Sequence, residues 1–216
     1  RPGAVVPVVY DPSHTTPSSV GPVAPNGQLH AASGGGATFV VNYDAGFDAN
    51  PAAKAAFQFA VDQWAQYIVS PVPIVVNAKF GPLGAGILGG AGPSNFYRDF
   101  PGAPVASTWY PVALANALHG SDLDTGNGDI SATFSSTFSS PGFYFGTDGN
   151  DGGKVDFASV VMHELGHGLG YLGLMSVANG SGDCCSGSGF PSIYDRFTTS
   201  NGTSLLSIPN GASLAT

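Results

Sequence analysis

The chain has 216 residues, 43% of them hydrophobic and only 9% charged, with a formal net charge of −8. Its six Lys and Arg leave no basic footprint for nucleic acid or anionic lipid, and no apolar run of roughly 18 residues is present to span a membrane as a helix. The length and 14 Phe, 8 Tyr and 2 Trp suit a single core, while 32 Gly and 17 Pro predict a loop-rich α+β fold rather than a helical bundle.

Residues 1–36 carry Pro2, Pro7, Pro12, Pro17, Pro22 and Pro25 and end in Ser33-Gly34-Gly35-Gly36. They read as an extended arm or pro-segment remnant, from which Asp11, His14 or His30 could approach a metal. From Ala37 the pattern changes. Thr38–Tyr43 reads as a strand, and Asn50-Pro51 starts a helix whose Phe57, Val61, Trp64 and Ile68 share one face. Pro73–Phe80 gives the next strand. The glycine-rich stretch Gly81–Gly92 reads as a wide surface loop, and with no helix pattern after it nucleotide binding is excluded.

Val112–Leu118 suggests a short helix or turn, with His119 at the surface. Carboxylates and Asn cluster in the turns Ser121–Asp129 and Asp148–Gly152, where oxygen ligands could bind calcium; EF-hand spacing is absent, and solvated acidic turns are the simpler reading. Between them, Ile130–Ser135 and Phe143–Phe145 read as strands. One of these two is expected to be the edge to which an extended peptide adds.

The sole glutamate of the chain, Glu164, lies inside His163-Glu164-Leu165-Gly166-His167. On a helix, residues i and i+4 share a face, so both imidazoles can aim at one metal while Glu164 stands beside them as a base. Shuffling five His and one Glu through the chain gives this pattern by chance roughly 4 times in 10,000. Asp156 can cap the helix, Phe157, Val160 and Val161 can turn inward, and Gly168-Leu169-Gly170 can stop it, which predicts a helix over about Asp156–Leu169.

The order of elements from Ala37 to Gly170, closing in His163-Glu164-Leu165-Gly166-His167-Gly168-Leu169-Gly170, resembles the zincin metallopeptidases, and the glycine three past the second histidine resembles the metzincins among them. The resemblance implies a mixed twisted sheet with a backing helix and an active-site helix in an upper half (37–170), over an irregular lower half (171–216). It also implies Zn²⁺ on His163 and His167, Glu164 as general base, and a protein or peptide substrate. The metzincin third-ligand position is Gly173, which has no side chain. Asp195 is the favoured replacement, with Asp183, Cys184 and Tyr194 as alternatives. Tyr194 is also a candidate hydrogen-bond donor to the oxyanion.

Cys184 and Cys185 are adjacent and could form a vicinal disulfide, stay as thiols or pair elsewhere. Few lysines and abundant Ser, Thr and Gly favour a secreted protein, expected to be a monomer. Two rivals remain from other classes: a non-catalytic adhesion or carbohydrate-binding module, and a latent zinc proenzyme.

Overall fold

The computed structural model describes residues 6–9, 36–178, 181–185 and 187–209. Along the chain come β1 (Val6–Val9), β2 (Phe39–Tyr43), α1 (Ala45–Asp48), α2 (Pro51–Tyr67), β3 (Ile74–Gly81), β4 (Ile87–Pro93), β5 (Phe96–Tyr97), β6 (Tyr110–Pro111), α3 (Val112–His119), β7 (Ile130–Ser135), β8 (Phe143–Tyr144), β9 (Val155–Asp156) and α4 (Phe157–Leu169). Beyond α4, β10 (Met175–Ala178) pairs with β11 (Ser181–Cys184) and β12 (Thr199–Ser200) with β13 (Thr203–Ser204), with 3-10 turns at Tyr194–Phe197 and Leu205–Ser207. The fold is mixed α+β, with one five-stranded sheet and several two-stranded ones.

Alternation positions the main sheet, whose order is β1-β4-β7-β3-β2. β2, β3 and β7 run parallel, whereas β4 is antiparallel to β7 and β1 antiparallel to β4. On β3 and β7, Ile74, Val76, Ala78, Phe80, Ile130, Ala132 and Phe134 point inward and are buried. Their alternates, including Asn77, Ser131 and Thr133, turn to a polar outer face where Asn42 Nδ2 donates to Asn77 Oδ1. Such period-two patterning fixes which face carries the helices.

α2 and α4 cover the inner face side by side. Asn50 caps α2 through Ala53 N, Pro51 opens it, and Phe57 and Val61 bury on the predicted stripe. On α4, Phe157 enters a cage of Phe80, Phe134, Phe143 and Phe145 with centroid separations of 5.9, 5.3, 5.0 and 5.1 Å. Truncating such a ring costs on the order of 3–5 kcal/mol, so this cage anchors the first turn of α4.

Two expectations need correction. Gly81–Gly92 is not a wide surface loop: its second half is β4, buried from Leu88 through Pro93 between β7, β1 and α4. Nor is Ile130–Ser135 an edge, because β7 lies between β4 and β3, and Phe143–Tyr144 pairs in parallel with β9 outside the main sheet. Most of the N-terminal arm, including Asp11, His14 and His30, falls outside the described residues.

Candidate metal centre

Asp156 accepts from Ser159 N at 2.8 Å and caps α4, so the helix begins where the sequence predicts. Its buried stripe is Phe157, Val160, Val161, Glu164, Leu165 and Gly168. At Gly168 the helix comes so close to β7 that an added Cβ would sit 2.5 Å from Ile130 Cγ2. A glycine directly after the second histidine is therefore a packing requirement. Trp64 of α2 donates its indole N–H to Met162 O at 3.0 Å, fixing the backbone just before the first histidine.

The two histidines converge. His163 Nε2 and His167 Nε2 lie 3.1 Å apart, the separation that two nitrogens at roughly 2.0–2.1 Å from one metal have at an angle near 100°. The helix end orients the second ring: Gly170 and Tyr171 return their N–H groups to Gly166 O, and Tyr171 O then lies 2.7 Å from His167 Nδ1. That carbonyl accepts the Nδ1 proton and leaves the Nε2 lone pair free for a metal. Desolvation and the neighbouring His167 hold the His163 pKa below its ordinary value, which favours the neutral, ligating form.

Glu164 lies beside them on the buried side of the helix. It is fully buried, Oε2 accepts from Ala91 N of β4 at 2.7 Å, and Oε1 has no hydrogen-bond partner. Burial pushes its pKa up to about 7, against the opposing pull of the Ala91 N–H and His167. Ligand atoms of His163, Glu164 and His167 all lie within 4.8 Å of one another, so this group could hold a metal ion.

Asp195 does not join them. It is fully buried, but its carboxylate accepts from Leu174 N at 2.9 Å and Ser192 N at 2.8 Å, with Ser192 Oγ 2.9 Å away. The favoured third-ligand assignment is thus corrected: those oxygens tie the chain after α4 to the 3-10 turn. An added Cβ at Gly173 would lie 2.7 Å from Asp195 Oδ1, so Asp195 fills the space a ligand side chain at 173 would need. Arg196 turns away and donates from Nε to Thr108 Oγ1 at 2.7 Å.

Cys184 is joined to Cys185 in a vicinal disulfide and offers no thiolate, and Asp183 lines a small cavity with Met175 and Leu205. Tyr194 stacks near Tyr171 at 6.1 Å between centroids and touches the space beside Gly173. In the acidic turn, Asp129 accepts from Val75 N and Asn116 Nδ2, while Asp124 accepts from Asn127 Nδ2. Among the described residues, the acidic turns bring no three ligating groups together as the His-Glu-His group does. Sequence reasoning missed Ala91, which acts through its backbone N–H and so leaves no side-chain signal.

No family model, no curated protein and no solved structure matches this chain.

Proposed function

We propose that the protein is a secreted, monomeric zinc-dependent endopeptidase of zincin type, with His163 and His167 as ligands and Glu164 as general base. One observation carries this reading. Glu164, whose buried Oε1 has no hydrogen-bond partner, belongs to the same compact group as two histidines whose Nε2 atoms converge to 3.1 Å. Buried polar atoms are normally satisfied, and orphaned ones are the exceptions that ask for a functional explanation. Two convergent imidazoles, with His163 held toward its neutral form, suit a borderline metal such as zinc.

A zinc ion held there would supply Lewis acidity, both to a water and to a scissile carbonyl. The chain's own residues do the rest. Ala91 N–H fixes Glu164 Oε2, so Oε1 is the atom left to take the proton of the attacking water and pass it to the leaving amine. A carboxyl pKa raised to about 7 suits both halves of that transfer near neutral pH. Tyr194, beside Gly173 and Tyr171, is the candidate donor to the oxyanion.

The experiment is hydrolysis of unfolded casein. Activity should disappear with a chelator and return with zinc, and Glu164→Ala should lose about 10³-fold in kcat while keeping its zinc. Full activity in Glu164→Ala would remove the base assignment. Zinc without hydrolysis in the wild type would favour a latent or structural site.

A further inference from the structure

Beside the metal centre the chain leaves a strip of aromatic rings open to solvent. Tyr171, whose carbonyl orients His167, is 64% exposed, and its ring lies 6.5 Å from that of Trp64 and 6.1 Å from that of Tyr194 between centroids. Phe197 is 78% exposed and follows Tyr194 by three residues in one 3-10 turn, where side chains at i and i+3 lie one above the other. Contiguous exposed apolar surface marks an interaction site in a way that scattered single residues do not.

The fold holds these rings in place before any ligand arrives. Asp195 accepts from Leu174 N and Ser192 N, which ties the segment carrying Tyr171 to the turn carrying Tyr194 and Phe197, and Trp64 is held through its bond to Met162 O. The Trp64 and Tyr171 planes are tilted by 42°, and those of Tyr171 and Tyr194 by 56°, so neighbouring rings enclose grooves rather than a flat face. Aromatic-lined grooves are what proline-rich peptides dock into, and a polyproline II chain advances about 6.2 Å in two residues. The ring separations of 6.5 and 6.1 Å match that step. The sheet favours the same ligand. β4, whose Ala91 N–H holds Glu164, lies between β1 and β7, so both of its edges are already paired. A polyproline II peptide needs no open edge, because it makes no ladder and is read through its side chains.

We propose that Trp64, Tyr171, Tyr194 and Phe197 form a docking strip for proline-rich peptide in the polyproline II conformation. Proline rings sit in the grooves between the aromatic rings, and the strip delivers the peptide to the neighbouring His163–His167 pair. The inference deepens the peptidase reading and rests on it only for the docked peptide being a substrate; docking itself needs neither metal nor hydrolysis.

The test uses the full chain carrying Glu164→Gln and two fluorescent octapeptides, octaproline and a Val-Ser repeat of the same length and charge. By anisotropy, octaproline should bind at least tenfold more tightly than the repeat, and equal affinity overturns the proposal. Adding Tyr171→Ala and Phe197→Ala, both at exposed rings, should weaken octaproline binding at least tenfold. Tyr171→Phe with Phe197→Tyr keeps both rings and should bind within twofold of the parent. Unchanged binding in the Ala pair overturns the proposal, and so does an equal loss in both pairs, since ring stacking would then not be what holds the peptide. If octaproline docks in this way on a chain whose wild type hydrolyses no peptide, the docking strip stands and the peptidase reading falls. Casein hydrolysis by a wild type whose Glu164→Gln chain binds octaproline no better than the repeat gives the reverse.

Discussion

The helix around Glu164 and the loop around Asp195 each bury a carboxyl group completely, and hydrogen bonding treats the two in opposite ways. Asp195 collects the Leu174 and Ser192 N–H groups with Ser192 Oγ close by, whereas Glu164 receives only the Ala91 N–H and keeps Oε1 without a partner. A buried carboxylate supplied with several donors stabilises the loop that supplies them. One left half-satisfied costs stability and asks for an explanation, of which a bound ion or a chemical role is one. The contrast sets an acid held by the loop it ties together apart from the one proposed as the base, although the sequence offered Asp195 as a ligand.

The largest way to break that contrast is Asp195→Ala. Losing a buried acceptor for these donors should cost about 4 kcal/mol in chemical denaturation, with zinc stoichiometry unchanged. Loss of zinc with little loss of stability would return Asp195 to the ligand set.

Glu164→Gln should do the reverse in metal-free protein. The folded pKa of Glu164 is raised from 4.5 to about 7, so its contribution is fully present below pH 4.5 and is lost as pH rises through 7. Gln does not titrate. The variant should therefore gain on wild type across that window, by up to about 3 kcal/mol above pH 7, with no pH-dependent gain below pH 4.5. Denaturation midpoints at pH 4 and pH 8 decide it, and an equal difference at both would contradict the half-satisfied carboxyl.

Gly168→Ala tests the close approach that places the histidines. Ala gains about 1 kcal/mol of helix propensity, but its Cβ would press on Ile130, a kind of overpacking that costs 1–3 kcal/mol. We expect a net loss of about 1 kcal/mol and weaker zinc binding in a competition titration. Smallest is Tyr194→Phe, which keeps the ring against Tyr171 and removes only the hydroxyl. A roughly tenfold fall in kcat with KM unchanged is expected, and unchanged kcat would strip Tyr194 of the donor role.

The sequence made the site more legible than its frame. The His163–His167 spacing, the Asp156 cap and the Gly170 stop are local signals, and α4 begins and ends where they say. The α2 stripe and the alternation in β2 and β3 were equally plain, since each element turns one face toward the core. β4 was not legible. It is closed in by β1, β7 and α4, so no polar alternates mark it, and its glycines read as loop. Gly89 belongs there because an added Cβ would come within 2.5 Å of the Phe134 ring, a long-range fact no local window contains. Ala91 was invisible for a related reason, since any residue but proline carries the N–H that holds Glu164.

The most direct measurement is metal stoichiometry on purified, metal-replete protein, comparing wild type with the His163→Ala, His167→Ala double variant. One zinc per chain in the wild type and none in the variant is the predicted result. A wild type that holds no zinc, or a variant that holds as much as wild type, would contradict the assignment of His163 and His167 as the metal ligands.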